Sequence, residues 1–157
     1  MRFGQEIQTL SRRVVERRLS PASETIRVAA AALIDRHGRV LIAERPPGKP
    51  MAGRWEFPGG KLAAAETEAQ ALWRELREEL GVEALEGRPM MRLTHTYADR
   101  TVELSLWVVD RFRGEPRGLE GQSLKWVVPE RLAEEDILEA DRPFVAALIE
   151  WLSTPPA

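Results

Sequence analysis

The chain contains no cysteine. That absence excludes disulfides, thiol catalysis and cysteine-ligated zinc, and it fits a reducing, cytoplasmic setting. Lysine is scarce: Lys49, Lys61 and Lys125 are the only three among 23 basic residues, a bias of composition more than a functional signal. No apolar run approaches the roughly 20 residues of a membrane span, so no membrane partner is expected. Net charge is -2, which leaves no basic field for a nucleic-acid polymer. What is present is ordinary for one soluble domain with a real core: 157 residues, 43% hydrophobic and 31% charged.

The first residues, MRFGQEIQTLSRRVVERRLS, hold five arginines and two glutamates. Ile7, Leu10 and Val14 fall near helical spacing, which predicts a short amphipathic helix. It lacks the apolar centre of a secretory signal. It reads as a helix for packing or dimer contact, with an arginine-rich presequence as the other reading. Residues 1–22 are therefore expected to form a helical extension and residues 23–157 the main domain, as a monomer or homodimer.

Ile26 to Leu33 is a short apolar run that predicts a buried strand. Asp35-Arg36-His37-Gly38 predicts a hairpin turn, and Val40 to Ala43 the returning strand. Three prolines between Pro46 and Gly53 predict a loop. Trp55-Glu56-Phe57 is a short extended piece entering a Pro58-Gly59-Gly60 turn. A helix starts at Thr67, with Gln70 completing a capping box, and stops at Gly81. Ala69, Leu72, Trp73, Leu76 and Leu80 form its apolar stripe. Met90 to Tyr97 and Val102 to Phe112 read as two longer strands, Gly114 to Gly121 as a loop, Leu124 to Val128 as a strand, and Arg142 to Leu152 as a closing helix. This order predicts an α/β architecture, a mixed sheet between helices.

Chemistry concentrates in GKLAAAETEAQALWRELREELGV, residues 60 to 82. Glu66, Glu75, Glu78 and Glu79 crowd one short helix and its approach. Glu75 and Glu79 lie roughly 40° apart around the helix and border its apolar stripe, so both are expected to be partly desolvated. Like charges at this spacing repel, and acidic groups near a helix C-terminus oppose the macrodipole. A hard divalent cation shared with phosphate oxygens would relieve both conflicts. A solvated acidic face balanced by Arg74 and Arg77 is the alternative.

The spacing Gly60, five residues, Glu66, seven residues, Arg74-Glu75-Leu76, one residue, Glu78-Glu79, one residue, Gly81-Val82 resembles the complete Nudix hydrolase pattern. Chance agreement is on the order of one in a billion per start position at ordinary residue frequencies. Trp55 to Lys61, Gly114-Glu115-Pro116 and Glu120-Gly121-Gln122 are similar to the MutT branch, and the likeness spans about residues 25 to 150. The resemblance implies an α/β/α sandwich, Mg²⁺ (replaceable by Mn²⁺), and attack of water on a nucleoside triphosphate to give a monophosphate and pyrophosphate. It implies that Glu78, Glu79, the Gly59 carbonyl and Glu120 are metal ligands. Glu75 is a ligand or the base, and Glu120 is a second candidate for that base. It implies that Arg74 positions the glutamates and that Glu66 braces the loop. Arg45 resembles a phosphate-binding arginine; its alternative is a surface role.

Purine-reading members of the branch place an asparagine where this chain has Asp141. An ionised carboxylate only accepts hydrogen bonds. It suits N7–H of 8-oxoguanine, would need protonation or help from Arg100 or Arg142 at O6, and suits an exocyclic amine, as on cytosine or adenine. Asp141 is also placed to cap the closing helix. Tyr97 and Phe57 are candidates for flanking the base, or plain core residues. The expected activity is hydrolysis of oxidised nucleoside triphosphates, 8-oxo-dGTP foremost. CTP or 5-hydroxy-dCTP is the alternative, and a silent nucleotide-binding module the third reading.

Overall fold

The computed structural model describes residues 24–154, so the helical extension expected over 1–22 lies outside the described residues. Strands β1 (Thr25–Leu33), β4 (Gly59–Lys61), β5 (Glu83–Thr96) and β6 (Thr101–Arg113) form a four-stranded sheet in the order β4-β1-β6-β5. β1 runs parallel to β6, and the other pairings are antiparallel. Strands β2 (Val40–Glu44), β3 (Trp55–Glu56) and β7 (Leu124–Val127) form a second, antiparallel sheet in the order β3-β2-β7. The expected mixed sheet is therefore one of two.

Alternation along β1 builds the layers. Ala29, Ala31 and Leu33 share a buried cluster with Leu72, Leu76 and Leu80 of helix α1 (Glu68–Leu80). Ala30 and Ala32 share the opposite cluster with Phe144, Val145 and Leu148 of helix α2 (Arg142–Ser153). Period-2 alternation sends successive side chains to opposite faces, and small alanines leave volume for the leucines and phenylalanine of each helix. The sheet is thus covered on both faces, an α/β/α sandwich. Among the described residues no helix is long and apolar enough to cross a membrane.

Helix α1 starts and stops where local chemistry dictates. Thr67 caps it, Gln70 returns the bond to the Thr67 N–H, and Gly81 ends it in the left-handed conformation at φ 68°. Its buried face carries Ala71 with Leu72, Leu76 and Leu80, while Ala69 and Trp73 are only half-buried.

Two expectations are corrected. Pro58-Gly59-Gly60 is not a free turn: Gly59 to Lys61 pair with Ala30 to Val28 as β4. A Cβ at Gly59 would overlap the Ala29 carbonyl oxygen, so only glycine lets the backbones approach this closely. β5 begins at Glu83, seven residues before the expected Met90. Its first half carries Gly87 and Pro89 and is interrupted by register shifts, which hides the alternation. An edge strand tolerates such bulges and a proline.

Candidate active site

Arg74 is the hub of the loop and helix that follow β4. Its guanidinium grips Glu66 through two bonds (2.7 and 2.8 Å) and donates to the Lys61 carbonyl at 3.1 Å. The same group reaches Glu75 at 2.9 Å and Glu78 at 3.3 Å. Glu66 also accepts the Ala63 N–H at 2.7 Å. Arg74, and then that N–H, hold the Glu66 carboxyl down to about 2, while Glu66 and Glu75 raise the already high pKa of Arg74. The charged fork is a bidentate clamp that fixes the loop to the helix.

Glu75 and Glu79 lie on the inner edge of α1. The Glu75 side chain is 17% exposed. It sits against the Cα of Gly60, where any Cβ would collide with its carboxyl group. Glu79 accepts the Gly59 N–H at 3.3 Å and has no ion-pair partner among the described residues. Burial, and then the negative charges of Glu75 and Glu120, push its carboxyl up to about 8. Glu78 points outward, 56% exposed.

Glu120 reaches Glu79 because the loop after β6 satisfies the open end of α1. The Leu119 N–H and the Gln122 side chain both donate to the Glu79 carbonyl (3.0 and 3.2 Å), and the Arg117 N–H donates to the Leu80 carbonyl at 3.0 Å. These are carbonyls that a helix terminus leaves without partners. Gln122 also accepts the Glu120 N–H at 2.9 Å. The result is a small cleft lined by Arg45, Lys49, Glu56, Pro58, Glu79, Glu120 and Gln122. Arg45 spends its guanidinium on Glu56 and the Pro50 carbonyl, both at 2.8 Å.

Glu56, Lys49 and Gln122 had no role assigned from sequence. The register of β2 on β3, which pairs Ala43 with Glu56, brings Glu56 to Arg45 and places both beside Glu79. No local spacing carries that register.

The other candidates fall elsewhere. The Phe57 ring is 3% exposed within the α2-side core, so it is a core residue and not an open stacking face. Its N–H donates to Asp141 at 3.1 Å. Asp141 occupies the N-cap position of α2 yet makes no side-chain capping bond. Instead its buried carboxylate braces the approach to β4. Burial, opposed in part by the Phe57 N–H, pushes it up to about 7; Glu56 adds to the rise and Arg45 offsets it. Tyr97 and Arg100 sit at the β5–β6 hairpin tip, away from the Glu79 cleft. There the Tyr97 ring lies 4.5 Å from the His95 ring and 5.2 Å from the Arg100 guanidinium.

Residues 29–147 match the NUDIX domain family. The chain belongs to this family. Among NUDIX relatives, it is 39% identical to the CTP pyrophosphohydrolase of Escherichia coli over 81% of this chain and 94% of that protein. It is 34% identical to the 8-oxo-dGTP diphosphatase of the same organism over 78% and 95%. The solution structure of the E. coli ORF135 protein superposes with a TM-score of 0.77 at 38% identity, over 87% of this chain and 96% of that one.

NUDIX enzymes generally use a divalent metal, and the donor set here suits one. Among the described residues no three acidic or histidine side chains already enclose a common point. The oxygens are nevertheless all hard donors, and the repulsion of Glu75 and Glu120 against half-buried Glu79 is a conflict that a hard cation would relieve.

Proposed function

We propose that this NUDIX protein is a Mg²⁺-dependent pyrophosphohydrolase that converts nucleoside triphosphates, 8-oxo-dGTP foremost, to the monophosphate and pyrophosphate. The observation that carries the reading is that Glu79 and Glu120 line one cleft with Arg45 and Lys49, while the charge of Glu75 bears on Glu79. Glu75, Glu78, Glu79, Glu120 and the Gly59 carbonyl would hold the metal. When bound, Mg²⁺ neutralises phosphate oxygens that would otherwise repel the carboxylates, and Mn²⁺ is expected to substitute. Arg45 and Lys49 bind phosphate oxygens; Arg45 is oriented for this by Glu56. Arg74 fixes Glu75 and Glu78 by charged hydrogen bonds. Glu75 or Glu120 orients the attacking water and takes its proton. The water oxygen bonds to phosphorus as the bridging oxygen leaves with pyrophosphate. Positioning and charge neutralisation supply most of the acceleration in such transfers.

In this reading Asp141 reads the base, and Tyr97 and Arg100 at the hairpin tip are the residues proposed to flank the nucleoside. The ionised form of Asp141, with one N–H donor, favours an amine-bearing base, so CTP and 5-hydroxy-dCTP form the second reading; the protonated form, which burial favours up to about pH 7, can donate to O6 of 8-oxoguanine and favours the first. The resemblance to both a CTP pyrophosphohydrolase and an 8-oxo-dGTP diphosphatase supports keeping both. The consequence of the first activity would be removal of oxidised precursors before they enter DNA. A kcat/KM comparison of 8-oxo-dGTP, dGTP, CTP and 5-hydroxy-dCTP with Mg²⁺ tests this. Preference for 8-oxo-dGTP supports the first reading and preference for the pyrimidines the second. Nucleotide binding without pyrophosphate release would reject both in favour of a silent module.

A further inference from the structure

Position 68 is not among the fixed residues of the pattern described above, yet Glu68 is the most heavily bonded carboxylate outside the cleft. It opens α1, one residue after the cap. An acidic residue there usually faces water and gains only from the helix dipole. Here the side chain is 10% exposed and turned onto the sheet. One oxygen accepts the indole N–H of Trp107 at 3.0 Å. The other accepts the hydroxyl of buried Ser105 at 2.8 Å and guanidinium N–H groups of Arg27 (3.3 Å) and Arg92. Both arginines also lie within 3.6 Å of Glu103. Burial alone would raise the Glu68 pKa, but the bonds from Ser105, Trp107 and Arg92 outweigh it and lower it. The carboxylate is therefore ionised and tied to β1, β5 and β6 at once.

The anchor shares an edge of the helix with the cleft. Glu75 stands seven positions after Glu68. That is about 20° short of two full turns and about 10.5 Å along the axis. Glu79 follows about 40° further round. Apolar packing of Leu72, Leu76 and Leu80 sets how deep α1 sits, but it is non-directional. Hydrogen bonds to Glu68 are directional, and they resist rotation about the helix axis. The Trp107 ring adds a second hold, meeting Trp73 of α1 edge-on at 5.9 Å. A rotation of about 10° moves an atom 5–6 Å from the axis by about 1 Å. A displacement of that size costs about 100-fold when it falls on catalytic groups.

We propose that Glu68 is a positioning residue for the carboxylate helix: by bonding Ser105, Trp107, Arg27 and Arg92 it sets the rotation of α1 and so the placement of Glu75 and Glu79. The proposal rests on the cleft reading given above. Glu68→Ala leaves the Ser105 and Trp107 donors of β6 without their acceptor and leaves Arg27 and Arg92 to Glu103. Glu68→Gln keeps one amide oxygen for the Trp107 N–H and turns its NH₂ to the Ser105 hydroxyl, which can then accept, but it loses the charge that holds the arginines.

The test measures kcat, KM and, without nucleotide, Mn²⁺ affinity by electron paramagnetic resonance, at a temperature where every variant is folded. For Glu68→Ala we expect kcat to fall by about 100-fold with KM little changed. Mn²⁺ affinity should weaken by about tenfold, as when other groups that orient metal ligands are removed. Glu68→Gln should recover part of both losses and keep the Trp107 indole N–H resonance where the wild type has it. Leu148→Ala, in the core beneath α2, is the control: it should lower Tm and leave kcat and Mn²⁺ affinity intact. If Glu68→Ala does not fold, Trp107→Phe, which removes one donor and keeps a smaller aromatic ring, takes its place with a smaller loss expected. Wild-type kcat and Mn²⁺ affinity in the folded Ala or Phe variant would overturn the positioning role. Full turnover in Glu79→Gln would instead overturn the cleft reading, and this proposal with it.

Discussion

At the scale of single residues, the cleft holds a charge conflict that the fold leaves unresolved. Glu79 is half-buried beside Glu75 and Glu120 with one N–H donor at 3.3 Å. Glu79→Gln keeps the shape and removes a charge the fold does not neutralise. We expect it to abolish measurable pyrophosphate release while Tm of the metal-free protein does not fall, a trade seen where sites store unfavourable charge. Turnover assays and calorimetry on the same preparation check both halves. Asp141 offers a pH test. Its carboxyl rises from 3.8 to about 7 on folding, so the native state holds a proton that the unfolded state releases across that window. The stabilising contribution is complete below the unfolded value and declines as pH rises toward about 7. For one proton the slope is at most about 1.4 kcal/mol per pH unit. Urea denaturation of wild type should show this loss between about pH 4 and 7; Glu79, raised from 4.5 to about 8, adds a loss of the same sign, so Asp141→Asn should remove the Asp141 share and leave the rest. The same variant should shift base preference toward 8-oxo-dGTP. An unchanged base profile would leave Asp141 as a brace for Phe57 alone.

At the scale of elements, α1 was legible almost in full. Thr67, Gln70 and Gly81 announce its ends, and its leucines announce the inner face, because capping and the 3.6-residue period act over a few residues. β4 was not legible. Gly59-Gly60-Lys61 has no alternation and reads as a turn; it is a strand because β1 offers an alanine surface into which a chain without Cβ atoms can press. Gly60 matters for a further reason, since its bare Cα lies against the Glu75 carboxyl. Gly60→Ala should therefore displace Glu75. We expect a folded protein whose kcat is down by about tenfold or more, as for other small misplacements of catalytic groups. Steady-state kinetics with Tm on the same variant separate misplacement from unfolding.

At the scale of the whole molecule, all of the proposed site residues, and both core clusters, lie within residues 24–154. A protein lacking residues 1–22 should accordingly keep the kcat/KM of the full chain. A collapse of activity, or a change of oligomeric state by light scattering, would assign the extension to the fold or to a dimer. The amino-acid sequence by itself determined the chemistry of this protein. It set which side chains are carboxylates, how they are spaced on one helix, and where that helix begins and ends, since each depends on neighbours a few residues apart. Tertiary structure alone decided which of them meet. Glu120 arrives beside Glu79 because a distant loop fills the open carbonyls of α1. Glu56 arrives beside Arg45 through the register of β2 on β3, and Asp141 reaches Phe57 across 84 positions of chain. Phe57 went to the core because the α2 layer needed its volume. Register and packing are settled by what the two faces of the sheet can bury together, and no local stretch of sequence carries that information.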